Sequence, residues 1–203
     1  LDKMQVVRLD PKNADAARMV LGRAFHHYPL LEYAVSDSAR RFRASLTLYG
    51  SLLRDALRLG HVDTTPEVAG VACWLPPGIG PMTFLRQIRS GMASLPFHLG
   101  IAGTRKLVLY DDWSVRLHHQ YAPEPHWYLL ALGVDTHRQG QGVGSQLIAP
   151  QLQQADRDGI ACYLDTHLER NVRLYQKHGF AVMWTGSPAG HPVPIWSMRR
   201  EPQ

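Results

Sequence analysis

The chain is predicted to form a single α/β (α+β) domain, on three observations. A strand-like run, a glycine-rich turn, a helical stretch and a second strand follow one another between residues 127 and 165. Two long helical patterns occupy the N-terminal half and the middle of the chain. Its 203 residues suffice for one well-packed core and are short for two. The domain is expected to span residues 4–200, with residues 81–121 as a helical insertion within it.

Residues 4–9 alternate as a first strand, stopped by Asp10-Pro11. A helix is signalled from Asn13, a capping-type residue, by Ala16, Met19, Val20 and Phe25 at helical spacing. Residues 26–31 read as a loop broken by Pro29. A second helix over residues 38–59 carries Phe42, Leu46, Leu48, Leu52, Leu53 and Leu57 on a broad apolar stripe, with arginines on its outer side. Residues 61–64 and 68–75 form a hairpin around Thr65-Pro66-Glu67, closed by Pro76-Pro77-Gly78. The next stretch is too long for a structureless loop in a compact domain, so helices are predicted over residues 82–94 and 104–121. After the strand at residues 127–134, a helix over 142–158 places Val143, Leu147, Ile148, Leu152 and Ala155 on one side. Pro150 lies inside it and removes one backbone donor, which predicts a kink. A strand at 162–165, a short helix at 171–178 and strands at 180–184 and 194–199 complete the chain.

The formal charge of +5 comes from dispersed basic residues, mostly arginine, and no nucleic-acid-binding module is recognisable, so no nucleic-acid partner is expected. No apolar run reaches 18 residues, and Leu1-Asp2-Lys3-Met4 has no leader core. A cytoplasmic protein without a membrane partner is the expectation, with the residues before Met4 foreign to the native start. Cys73 and Cys162 lie in apolar runs, as buried thiols and not a disulfide. His26-His27 and His118-His119 are adjacent pairs without the i, i+4 spacing that aims two imidazoles at one ion, so no metal is expected. Exposed apolar residues between 82 and 99 suit a pocket or a homodimer, and leave monomer and homodimer both open.

Chemistry concentrates in Gln139-Gly140-Gln141-Gly142-Val143-Gly144-Ser145. Such a turn between a strand and a helix offers free N–H groups and the positive end of a helix dipole to a phosphate. A Walker-type loop fails for want of a Lys after Gly144. A dinucleotide fingerprint needs a third Gly where Ser145 stands, and Asp165 is its sole support. That alternative, a nucleotide-dependent oxidoreductase, also leaves too few residues for a second mononucleotide-binding half.

The pattern that fits is Gln-x-x-Gly-x-Gly at Gln139, Gly142 and Gly144, followed by a strand and Asn171-x-x-x-Tyr175-x-x-x-Gly179-Phe180. This ordered pair resembles the GNAT superfamily of N-acetyltransferases. His126-Trp127-Tyr128-Leu129, Arg170-Asn171 before Leu174-Tyr175 and Trp196-Ser197-Met198-Arg199 resemble its puromycin N-acetyltransferase branch, as does Ala24-Phe25-His26-His27-Tyr28-Pro29 less specifically. The resemblance implies a GNAT-like domain: a central mixed, mostly antiparallel twisted sheet of six to seven strands flanked by helices, with the insertion between strands 3 and 4. It implies acetyl-CoA as co-substrate and a small-molecule amine, such as an antibiotic or amino-acid-derived compound, as acceptor, attacked directly in a ternary complex. A non-catalytic acyl-CoA-binding module is the alternative of a different class.

By the same resemblance, N–H groups of Gln139, Gly140, Gln141, Gly142, Val143, Gly144 and Ser145 hold the pyrophosphate, and the edge at Leu132, Gly133 and Val134 pairs with the pantetheine. Tyr175 is the acid for the departing thiolate, a phenol of pKa about 10 being protonated at neutral pH. Much of the superfamily has an Asn seven residues before the Tyr, where Leu168 stands; the puromycin-like branch has it at Asn171, one turn before Tyr175. The base has three candidates, Glu32, Asp165 and His126. Tyr28, Tyr33, Trp74, Phe84, Tyr110, Trp113 and Tyr121 are expected to line the acceptor cleft, and Asp111-Asp112 to attract a cationic amine.

Overall fold

The computed structural model describes residues 4–203; the residues before Met4, on which the leader reading partly rests, lie outside the described ones. Seven strands form one sheet: β1 (Val7–Arg8), β2 (His61–Thr64), β3 (Gly70–Leu75), β4 (Trp127–Val134), β5 (Cys162–Thr166), β6 (Ala181–Gly186) and β7 (Ile195–Arg200). Their order is β1-β2-β3-β4-β5-β7-β6. Every neighbouring pair is antiparallel except β4–β5. One parallel pair provides no second mononucleotide-binding half, which removes the structural basis of the dinucleotide alternative.

The helices are α1 (Ala14–Ala24), α2 (Pro29–Ala34), α3 (Ser38–Leu59), α4 (Phe84–Arg89), α5 (Leu95–Tyr121), α6 (Val143–Asp158) and α7 (Glu169–Gln176). Strand alternation assigns β3 to two cores. Val71 and Cys73 pack with Leu21 and Leu53 of α1 and α3, while Ala72 and Trp74 pack with Leu147 and Ile148 of α6. On β4 the alternation changes phase. Trp127 and Leu129 join the α6 side, Ala131 joins the α1 side, and Leu132 and Val134 return to the α6 side. The cause is a β-bulge: Trp74 pairs with Leu129 and Cys73 with Ala131, leaving Leu130 as the extra residue.

Apart from a shorter β1, the strand and α3 positions follow the sequence reading closely, and three details differ. Pro29 starts α2 at its first turn instead of lying within a loop, because its missing N–H has no partner to lose there. Asn13 makes no side-chain cap; Asp10 instead accepts from the Lys12 N–H, and Ala17, Val20 and Leu21 form the buried stripe of α1 while Ala16 faces solvent. In the insertion, α5 begins at Leu95 and bends at Gly100, whose φ of 70° lies in the left-handed region. Pro150 sits at an exposed position of α6, and the helix continues through it. Both cysteines are free and buried. Among the described residues, no helix is long and apolar enough to cross a membrane.

Candidate active site

β4 and β5 pair only at Trp127–Cys162 and Tyr128–Tyr163. Beyond Tyr128 the two strands separate, so the β5-facing edge of β4 from Leu129 to Val134 lacks a strand partner. Its N–H and C=O groups need some partner, and an extended ligand is one way to supply it. Gly133 is required on the opposite face, where an added Cβ would come within 2.8 Å of the Leu21 side chain.

The turn after β4 is shaped by two left-handed glycines, Gly140 (φ 75°) and Gly142 (φ 79°), the latter preceding the first residue of α6. Gln139 Nε2 donates to the Val134 carbonyl at 3.0 Å, and Gln141 Nε2 to the His137 carbonyl at 3.2 Å. Among the described residues, the N–H groups of Gln139 to Ser145 donate no hydrogen bond, and the helix ladder starts with Gln146 bonded to Gly142. Val143 is buried, and a Cβ added at Gly144 would meet Leu132, Val134 and Leu174 at ordinary contact distance. Free N–H groups at the positive end of a sixteen-residue helix fit a pyrophosphate.

A cavity of ≈ 310 Å³ opens beside this edge, of a size suited to a small ligand. It is lined by β4 (residues 128–132), by Asp165, Thr166 and His167 at the end of β5, by Asn171 and Tyr175 of α7, and by apolar residues of α3 and α5. Tyr175 is buried, packs edge-on against Phe180, and its hydroxyl makes no hydrogen bond among the described residues. Burial pushes its phenol pKa up, which keeps it protonated. Asn171 Nδ2 donates to Thr166 Oγ1 at 3.2 Å, and the Tyr28 hydroxyl meets the same oxygen at 3.2 Å.

Of the three base candidates, the structure brings one to the cavity. Asp165 Oδ1 accepts from Ser197 Oγ at 2.7 Å and from the Tyr163 hydroxyl at 2.9 Å, while Oδ2 is buried without a partner. Burial raises its pKa to about 7, against the pull of those two donors. Glu32 is not at the cavity: Leu30, Leu31 and Ala34 take the buried face of α2, which turns Glu32 outward to His27 Nδ1 at 2.9 Å and Arg41 at 3.9 Å. The expectation that Glu32 faces an acceptor is thereby corrected. His126 does not line the cavity either, but its Nε2 lies 2.7 Å from Nε2 of His118, which does.

Of the aromatic residues expected in the cleft, Tyr28 and Tyr110 line it. Trp74 is fully buried in the α6-side core, Phe84 is solvent-exposed, and Trp113 stacks on Trp184. Asp111 reaches the cavity, whereas Asp112 pairs with Arg116 one turn along α5. The residue that sequence reading missed is His167. Its Nδ1 donates to the Pro194 carbonyl at 3.0 Å, which fixes Nε2 as the unprotonated nitrogen, and burial lowers its pKa to about 4. Its place just beyond the carboxyl end of β5 was a usable signal, since ligands gather there in open sheets with parallel pairs.

Residues 100–180 match the family model described as Acetyltransferase (GNAT) family. That span holds the free edge, the glycine turn, Asp165, Asn171 and Tyr175. That region of the chain is similar to the GNAT acetyltransferases. It is 25% identical to the uncharacterized N-acetyltransferase C550.08 of Schizosaccharomyces pombe, over 98% of this chain and 84% of that protein. Its fold is similar to that of a histone acetyltransferase HPA2 and related acetyltransferase from Corynebacterium glutamicum, with a TM-score of 0.70 at 23% identity, covering 99% of this chain and 97% of that one. It is also similar to arylalkylamine N-acetyltransferase 2 from Aedes aegypti, with a TM-score of 0.60 at 15% identity, covering 98% and 99%. The matched region and these relatives support an acetyl-CoA-dependent N-acetyltransferase, and the seven-stranded open sheet is the architecture the resemblance implied.

Proposed function

We propose that this enzyme acetylates a small primary amine with an apolar body and no anionic group, by direct attack on the thioester in a ternary complex. The observation that carries the reading is the cavity lining, in which Asp111 and Asp165 are the charged side chains and, among the described residues, no Lys or Arg takes part. An ammonium finds the Asp165 carboxyl group in the lining, while a carboxylate on the acceptor finds no counter-ion.

In this reading the free N–H groups of Gln139 to Ser145 hold the pyrophosphate, Leu132, Gly133 and Val134 offer the strand edge, and Asn171 sits within reach of the same ligand. Acetyl-CoA supplies the activated acyl group. Tyr175 holds a proton where a thiolate develops. Asp165 anchors the amine, and Nε2 of His167 accepts one of its N–H groups. Freeing an alkylamine of pKa about 10 at neutral pH costs about 4 kcal/mol, so the site needs a route for that proton. The likeness to the puromycin N-acetyltransferase branch is part of this proposal, on residues 126–129, Arg170-Asn171 and residues 196–199. One functional unit over residues 4–200, with residues 81–121 shaping the acceptor side, is proposed with it.

Coenzyme release measured with a panel of amines tests the reading. Arylalkyl- and alkylamines and amino-acid esters are expected as substrates, and the free amino acids to be poor; preference for the free acids would sink it. Asp165→Asn should raise KM for an alkylamine tenfold or more, and remove a rise of kcat/KM with pH through about 7, where Asp165 ionises. Its stability effect has the opposite sign. A folded pKa raised above the usual carboxylate value contributes stability that is complete below about pH 4 and is lost as pH rises through about 7. Asp165→Asn should therefore be more stable than the native protein at pH 8, by at most about 4 kcal/mol, and no more stable at pH 4.

A further inference from the structure

The cavity and the solvent are joined by two imidazoles. His118 on α5 is buried and lines the cavity. Its Nε2 lies 2.7 Å from Nε2 of His126, whose Nδ1 lies 2.7 Å from the Glu124 carbonyl at the exposed end of the contact. A carbonyl only accepts, so Nδ1 of His126 carries its proton and Nε2 is a lone-pair acceptor. His118 must then donate from Nε2, which leaves its Nδ1 unprotonated and without a hydrogen bond among the described residues. The ring of His118 lies 4.6 Å from that of Tyr163, whose hydroxyl bonds Asp165, so the pair begins beside the proposed amine anchor.

We propose that His118 and His126 form a relay that carries the ammonium proton of the acceptor from the cavity to bulk water. The proposal rests on the acetyltransferase reading above. In the step, Nδ1 of His118 takes a proton from the ammonium, directly or across one water, and the N–H bond of the ammonium breaks. The Nε2 proton of His118 passes to Nε2 of His126, and the Nδ1 proton of His126 passes to bulk water. One proton leaves the amine and one enters solvent, no electrons are transferred, and neither ring keeps a net charge. Ring reorientation or the reverse proton shift resets the two tautomers. Charge-neutral transfer suits the surroundings. Burial lowers the pKa of His118 to about 3 and that of His126 below its usual value. The groups facing the pair are His119, Tyr128, Tyr163, Glu124 and Arg199. A histidine that never holds a net charge avoids the desolvation cost of an imidazolium there. The relay is required only when the amine arrives protonated. A neutral amine loses one proton on forming the amide, and the departing thiolate gains one, so nothing is exported.

The test is His126→Gln, at a half-buried position, with His118→Gln as the second variant. Each is assayed with an alkylamine of pKa about 10 and with a fluorinated amine whose pKa lies below the assay pH. A relay predicts a tenfold or larger fall in kcat/KM for the alkylamine and a less than twofold change for the fluorinated one. Equal losses for both amines, or no loss for either, overturns it. Nitrogen-15 resonances of the two histidines in the native protein give a readout that needs no substrate. The expected pattern is neutral Nε2–H for His118 and Nδ1–H for His126 from pH 6 to 8. Independent titration of the two rings at ordinary histidine pKa values overturns the relay whether or not the protein acetylates the amines. Absence of acetyl transfer by the native enzyme with the expected tautomers in place leaves the wire standing, and defeats the substrate reading instead.

Discussion

The two sides of the cavity are built by different means. On the side proposed for the coenzyme, β4, the turn from Gln139 to Ser145 and α6 present backbone groups: a strand edge without a neighbour and, among the described residues, N–H groups that donate to nothing. On the side proposed for the acceptor, α3 and the α4–α5 insertion present side chains from residues such as Leu52, Met92, Leu99 and Val108. Backbone recognition constrains sequence tightly, because close approach and positive φ both exclude a Cβ. Side-chain recognition is permissive, since many apolar sets fill the same volume. The first half should therefore fail abruptly when altered, and the second gradually.

The largest expected effect is on the backbone half. In Gly142→Asp, a side chain is forced into the left-handed region at φ 79° and a negative charge is set at the N-terminus of α6. Strain of this kind costs about 1–3 kcal/mol, and the carboxylate repels a phosphate that would use the same N–H groups. Acetyl-CoA binding measured by calorimetry should weaken by a hundredfold or more, with the fold intact by circular dichroism. Binding retained within threefold would show that the cradle is elsewhere. The next effect separates chemistry from binding. Tyr175→Phe removes the hydroxyl that has no structural hydrogen bond, so kcat should fall tenfold or more while the dissociation constant for acetyl-CoA changes little. Full activity in that variant would make Tyr175 only a packing partner of Phe180.

The same contrast decides how much was legible in the sequence. The strands, α3, the glycine turn, Asn171 and Tyr175 could be read because alternation, helical spacing and glycine placement have short-range causes. The bulge at Leu130 was not legible: it inverts the alternation of β4 by one residue, and local pattern alone reads an unbroken strand. Glu32 was misplaced because a proline at the start of a helix and one after its end look alike without the hydrogen bonds. His167 was passed over and His118 was weighed only as a metal ligand, because the value of each lies in a partner that the fold supplies: the Pro194 carbonyl for His167, and His126 across the α5–β4 connection for His118.

The smallest expected effect lies in the insertion, where one arginine ties α4 to α3. Arg86 on α4 pairs with Asp55 of α3, which is buried, and its NH1 donates to the carbonyls of Gly80 and Pro81 at 2.8 and 3.1 Å. Pro81 and Met82 line the cavity, so this cluster holds its rim. Arg86→Ala leaves a buried carboxylate without its cation, and should cost about 3 kcal/mol of stability. KM for the amine should rise by about threefold, as expected for a loosened rim, and the dissociation constant for acetyl-CoA should not move. Adding Asp55→Asn removes the stranded charge and should recover much of the stability without recovering KM, because the rim carbonyls still lack their donor. An equal rise in both constants would mean that the two halves of the cavity fold and fail together, and the division drawn between backbone and side-chain recognition would be wrong.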